Sequence, residues 1–421
     1  MFDLDQWQEI FSTMRRNALR TGLTAVGVFW GVLMLVVMVG FGNGLETGVQ
    51  KDMAGIATNS FYVWGGRTSI PFEGMQPGKW VEIRSTDAPL LLAAVPEIEA
   101  IAPRASLGGR GGALLVVRKE RSGSFTINGD VPDLRRIQPM LMLHGRFLNE
   151  LDMEKRRKVA VIGENVLAGL FAPGEDPIGE SIEIKGSDFI VIGVFRSPAT
   201  GDRADRLANT VHTPLSTFQQ SLRPTLDVNS FAVLVREGAS AEATLERVQE
   251  ELRRIHRVAP DDKQALGAWN AEAEFQKING LFRGIRALIT FVGTVTLLAG
   301  IIGVSNIMMI SVRERTREIG IRRAIGATPF AVLSQIVKES TVLTALAGAV
   351  GLMTGVVALE LIGAFMRQAV SDKPSMFDPP HAEFRVALIA TLVVIIGGGL
   401  AGLIPALQAL RVRPVVALRD E

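Results

Sequence analysis

Hydrophobic and polar residues are segregated along this chain in long blocks. Four runs, 21–45, 287–312, 340–366 and 386–410, are almost wholly apolar, and the one charge within them is Glu360. A bilayer core of roughly 30 Å takes about 20 helical residues at 1.5 Å each, so the runs predict four membrane-spanning helices. Uncharged runs of this length do not suit the core of a soluble domain. The first run is not a cleaved signal peptide: it is too long, and the Gly-rich stretch 40–44 stands where a small-x-small cleavage site would fall. Glu360 sits near one end of its span and has two readings, a carboxylate reaching the headgroups or a polar contact between helices. Ahead of the first run, residues 1–20 form an amphipathic segment with Trp7, Ile10, Phe11, Met14 and Ala18 on one helical face, suited to lie on membrane lipids.

The segment 46–286 has a different rhythm. Residues 60–64 alternate as a strand, 87–95 form a helix that Thr86 can cap, and 98–105 are strand-like again. The same order returns later: a strand at 230–235, a helix capped by Ser240 with the apolar face Leu245, Val248, Leu252 and Ile255, and a strand at 264–269. These two units read as a weak internal repeat forming a base, 46–110 and 226–270. A β-rich lobe, 111–225, is inserted between them. In it, 113–118, 124–128 and 159–162 are strands, 164–170 is a helix, and 181–185 with 189–195 form a hairpin across Gly186 and Ser187. Residues 197–206 are the least ordered part by composition.

From Asn270 a helix continues into the second apolar run. Phe275, Ile278, Leu281, Phe282 and Ile285 make a stripe along its first part, a stalk at 271–286. The whole helix would be about 60 Å long at 1.5 Å per residue. The stripe suits a lever between bilayer and outer domain, and equally suits core packing.

Charge adds orientation. The net charge of +2 argues against nucleic acid as a partner. Cys is absent, so there is no disulfide or thiolate site. Lys and Arg are biased by position: Arg15, Arg16 and Arg20 precede the first span, Arg411, Arg413 and Arg419 follow the fourth, and six lie between Ser311 and Ser340. The bias places both termini and the 313–339 segment in the cytoplasm, and 46–286 and the 367–385 loop outside. The 313–339 segment reads as a helix, a bend at Gly326, and a second helix opening at Pro329. Arg313, Glu314, Arg315, Glu318, Arg322 and Arg323 interleave there with Ile319, Gly320, Ala324 and Ile325. A purely basic loop would rest on anionic headgroups; the interleaved apolar residues favour a docking surface.

Catalytic signatures are missing. No phosphate-binding G-x-x-x-x-G-K-[ST] occurs, and the nearest stretch, 74–80, lacks one residue of spacing and ends in Trp80. The four His show no zinc-binding spacing. The four Gly-x-x-x-Gly pairs beginning at Gly27, Gly40, Gly351 and Gly398 fit close helix packing, within a subunit or between subunits.

Four ordered stretches, 15–32, 159–194, 306–328 and 405–421, resemble the MacB/FtsX-type permease family of ABC transporters. The resemblance implies a four-span α-helical membrane domain plus a large α+β extracytoplasmic domain with a porter-like base and inserted lobe. It implies a homodimer in a bacterial cytoplasmic membrane that couples a separate ABC ATPase, which carries ATP and Mg, to movement of the outer domains during efflux. A periplasmic membrane-fusion adaptor is a further implied partner. Lipoprotein release and control of a cell-wall hydrolase are alternatives within the family, and a receptor or scaffold is one outside it. The chain starts 20 residues before its first span, from which a separate ATPase subunit is expected.

Overall fold

The computed structural model describes residues 18–74, 76–107, 113–369, 380 and 384–410. The lead-in 1–17, most of the 367–385 loop and the tail 411–421 lie outside the described residues. Helix α1 spans Ala18–Met53. After it come β1 (Ser60–Gly65), α2 (Asp87–Ala94), β2 (Ile98–Leu107), β3 (Leu114–Arg118), β4 (Arg121–Asp130), α3 (Leu134–Ile137) and β5 (Leu141–Gly145). Next are α4 (Glu150–Glu154), β6 (Val159–Gly163), α5 (Glu164–Leu170), β7 (Ser181–Ile184), β8 (Ser187–Arg196), α6 (Gly201–Ala208), β9 (Thr210–Pro214) and α7 (Leu215–Ser221). β10 (Ser230–Val235), α8 (Ala241–Ile255) and β11 (Leu266–Asn270) lead to α9 (Ala271–Glu314), α10 (Thr316–Ala324), α11 (Pro329–Ala369) and α12 (Phe384–Leu410). The chain divides into two compact units, one built mainly from residues 48–280 and the other from the remainder.

In the first unit the two strand-helix-strand segments interleave. β11, β1, β10 and β2 are neighbours in that order, and every pairing is antiparallel. Each segment lends its first strand to the centre and its second to a flank, the split βαβ arrangement of ferredoxin-like sheets. Alternation explains the burial: Phe61, Val63, Phe231 and Val233 share one core with Leu91 of α2 and Val248 and Leu252 of α8. Ser240 caps α8 through its Oγ, which accepts the Ala243 N–H at 3.3 Å. Thr86 does not cap α2, because its own backbone is already helical (φ −69°, ψ −15°) rather than extended; the Asp87 carboxylate instead accepts the Arg84 N–H at 2.7 Å and meets His256 Nε2 at 2.8 Å.

The inserted strands close on themselves. The path β4-β3-β7-β8-β6-β9 returns to β4 through a parallel pairing of 126–130 with 210–214. Val116, Ile127, Ile162, Ile182, Val191 and Val211 are buried in its core. β2 runs on from the base sheet and pairs with β4 over Ala105–Leu107. Two expectations are corrected. The β7–β8 turn falls at Lys185 and Gly186, one position earlier than read, because both adopt positive φ (49° and 75°) as a two-residue hairpin turn requires. The 197–206 stretch runs into helix α6 from Gly201, with Asp202 in the first turn and Arg206 in the last, where each suits the helix dipole.

In the second unit, four helices are long and apolar enough to cross a membrane, over 21–53, 271–314, 329–368 and 387–410. Several of their glycines face neighbours within the chain. A Cβ on Gly27 would come 3.8 Å from Gly300, one on Gly351 2.6 Å from the Phe29 carbonyl oxygen, and one on Gly398 2.9 Å from Thr344 Cβ. Ser340 Oγ, buried, donates to the Gly398 carbonyl at 2.9 Å, tying α11 to α12. Glu360 is exposed and has no polar contact among the described residues.

Candidate docking elbow

The polar segment between α9 and α11 is a built corner. Helix α9 breaks at Arg315 (φ −101°, ψ 14°), where Thr316 Oγ1 donates back to the Arg313 carbonyl at 2.7 Å. Helix α10 then ends at Gly326, whose φ of 113° suits a residue without Cβ. The Ala327 N–H donates to the Arg322 carbonyl at 3.0 Å and the Gly326 N–H to the Arg323 carbonyl at 3.2 Å, the paired bonds of a Schellman stop. Thr328 Oγ1 accepts the Ala331 N–H at 3.3 Å and Pro329 opens α11, as the Gly-then-Pro order predicts.

The residues singled out in the sequence divide into two sets. Some hold the corner. Arg315 lies 3.5 Å from the Glu339 carboxylate, Arg322 donates to Gln335 Oε1 at 3.1 Å, and Arg323 donates to the Leu410 carbonyl at 2.9 Å. That last bond places a cation on the C-terminal end of α12, where the helix dipole favours it. Gly320 is buried, and Ile319 packs inward on the membrane-helix core. Ile319 is therefore not part of an outward apolar surface, because α10 turns that face toward Val332 and Ile336. A cavity of about 50 Å³ remains between α9, α10 and α11, lined by Arg315, Glu318, Ile319 and Glu339.

The rest face outward. Arg313, Glu314, Glu318 and Ala324 are exposed. Ile325 is 83% exposed and Phe330 76%, with Ile321 less so. Phe330 lies inside the 313–339 segment but beyond the residues singled out there, although an aromatic directly after a helix-opening proline was the available signal. The elbow thus presents an apolar tip ringed by both signs of charge. Burying the Ile325 and Phe330 side chains is worth about 1.5–3 kcal/mol each.

Along α9 the predicted stripe is mostly present. Phe282 is buried and Phe275, Ile278 and Ile285 are half-buried. Leu281 is 62% exposed and leaves the stripe, since Phe282 holds the inward position of that turn.

A second constellation, invisible in the sequence, joins the base sheet to the barrel. Arg104 Nε donates to Asp130 Oδ1 at 2.6 Å, and His212 Nδ1 lies 2.6 Å from Asp130 Oδ2. Burial alone would push the Asp130 carboxyl up, but Arg104 and His212 outweigh it and hold the group below its ordinary value. His212 packs between Phe147 and Phe195, and its Nε2 has no partner among the described residues. The three side chains come from β2, β4 and β9, so their paired charges act as a joint between those strands.

Comparison with known proteins matches residues 21–251 to the MacB-like periplasmic core domain and residues 290–414 to the FtsX-like permease C-terminal region. Macrolide export ATP-binding/permease protein MacB of Bdellovibrio bacteriovorus is 27% identical over 412 residues, covering 98% of this chain and 61% of that protein. Pyoverdine export ATP-binding/permease protein PvdT of Pseudomonas savastanoi pv. phaseolicola is 30% identical over 421 residues, covering 99% of this chain and 60% of that protein. The chain therefore spans about three-fifths of the length of the curated relatives it matches. Among solved structures, the periplasmic region of MacB from Actinobacillus actinomycetemcomitans aligns with 55% of this chain and 97% of its own, at 20% identity and a TM-score of 0.43.

Proposed function

The chain belongs to the MacB/FtsX-like permease family, and from that premise we propose that it is the membrane subunit of an ATP-driven exporter whose elbow receives a partner ABC ATPase. The observation that carries this reading is the elbow itself, a capped and cross-braced corner that exposes Ile325 and Phe330 among paired charges. An apolar tip with a polar rim is the composition of a protein interface, whereas a headgroup contact needs only the cations. ATP and Mg are then held by the partner, and closure of its subunits pulls on α9 and α11 through the corner. The Lys/Arg bias supports a cytoplasmic elbow and termini, with the 48–280 unit outside a bacterial cytoplasmic membrane. A homodimer and a periplasmic membrane-fusion adaptor complete the assembly we propose. The relatives are named for export of macrolides and pyoverdine, so efflux of a small molecule is the reading taken for this chain.

The test is binding of the ATPase to the purified, membrane-inserted permease. Phe330→Ala and Ile325→Asp should each weaken association about tenfold, since roughly 1.4 kcal/mol is a factor of ten. Glu318→Lys and Arg322→Glu should lower permease-stimulated ATP hydrolysis while the protein remains inserted and folded. Unchanged association and stimulation in all four variants would sink the docking assignment.

A further inference from the structure

Strands β1 and β10 pair from Ser60 to Val63 and then part. Residues 81–83 enter the fork: the Val81 N–H donates to the Gly66 carbonyl at 2.9 Å, and the Val228 N–H to the Ile83 carbonyl at 2.9 Å. Beside this fork lies a cleft of about 520 Å³, within the roughly 300–1,000 Å³ of small-molecule sites. Two indoles line it. Trp64 lies across Gly267, where a Cβ would come within 2.3 Å of its Nε1. Trp80 is 48% exposed, yet the backbone at both ends of the loop that leads to it is tied down. The buried Asp262 carboxylate accepts the Ser69 N–H (2.6 Å), the Ser69 hydroxyl (2.8 Å) and the Ile70 N–H (3.0 Å), and the Thr68 N–H donates to the Lys79 carbonyl at 2.9 Å. An exposed aromatic held in place loses little entropy when a ligand covers it.

The polar lining narrows the ligand. Glu82 and Arg223 line the cleft with opposite charges, and neither side chain has a polar partner among the described residues. Asp227, also in the lining, accepts the Thr225 hydroxyl at 2.7 Å. Asn229 uses its Oδ1 on the Ser106 N–H at 2.7 Å, which leaves its amide NH₂ to donate. Asp227 is also paired with Arg84 at 3.6 Å, so an anion would meet the carboxylate of Glu82 and a cation would meet Arg223. An apolar ligand would strip water from these groups and return no hydrogen bonds. What remains is a neutral molecule with C–H faces for the indoles and hydroxyls that both donate and accept. We propose that this cleft binds a neutral saccharide, a site separate from the elbow and independent of the ATPase assignment.

The experiment is calorimetric titration of the full chain in nanodiscs with two neutral probes, N-acetylglucosamine trimer and maltotriose. Saturable binding of at least one is expected. Trp80→Ala should weaken it at least tenfold, and the near-isosteric Glu82→Gln several-fold, with melting temperatures unchanged so that misfolding is separated from lost contact. Absence of saturable binding for both sugars overturns the proposal, as does binding that is indifferent to Trp80→Ala and Glu82→Gln. Trp80-dependent binding of a hydrophobic cation such as rhodamine 6G in place of the sugars also overturns it.

Discussion

Two buried carboxylates of the 48–280 unit, Asp130 and Asp262, are satisfied by different means. Asp130, fully buried, neutralises the largely buried Arg104, so Asp130→Asn leaves a guanidinium in the joint without its counter-charge. The expected loss is about 3–5 kcal/mol, seen as a large drop in the thermal midpoint, and Asp130→Asn combined with Arg104→Met should recover much of it. Asp262 is satisfied by backbone instead. Burial would raise its carboxyl, but the Ser69, Ile70 and Gln264 amides and the Ser69 hydroxyl bring it down to about 2. Because the folded value lies below the unfolded one, Asp262 contributes stability above about pH 4, and the contribution fades as pH falls through about 2. Asp262→Asn should cost on the order of 2 kcal/mol at neutral pH and flatten the acid limb of a melting-versus-pH curve. Neither role was legible in the sequence. Asp130 and His212 stand far apart along the chain, and nothing local marks them as partners. Gly326 was legible, because helix stops are written in neighbouring residues.

Elements were legible where their signal is periodic. The four apolar runs, β1, β10 and α8 each carry a repeat that shows which face is buried. Closure of the barrel was not, since pairing β4 with β9 depends on contacts between distant strands. Helix α6 escaped because its residues are mostly polar, although its end charges are placed for a helix. Among the membrane helices, spacing alone left open whether the glycines serve packing within or between subunits. The backbone decides for Gly351: its missing Cβ would lie 2.6 Å from the Phe29 carbonyl oxygen, which no side-chain rotation can relieve. Gly351→Ala should push α1 and α11 apart at a cost of about 1–3 kcal/mol, measured as lower thermal stability of the purified protein. Gly303→Ala on α9, where a Cβ meets nothing within 4 Å, is the matched control and should be silent.

At the scale of the molecule, the elbow becomes useful only if its displacement travels. Helix α9 is continuous over 44 residues, about 66 Å at 1.5 Å per residue, from the end of β11 to the corner at Arg315. Leu281 is exposed, so a proline there acts through the backbone, by removing one hydrogen bond and kinking the helix, rather than through lost packing. On the proposed coupling to an ATPase, Leu281→Pro should leave that partner bound and hydrolysing while export fails. Export at the normal rate would show that α9 does not transmit the stroke.

The interleaved base sheet also sets a timetable for synthesis. Phe61 pairs with Val233, a partner about 170 positions later, and Tyr62 with Trp269, later still. Emerging β1 must wait, unpaired, while the whole barrel is made. The barrel closes mainly on partners nearer in sequence and so has the smaller loop-closure cost. The insertion is then the first part able to mature, and the sheet that flanks it is zipped shut last, when β10 and β11 arrive.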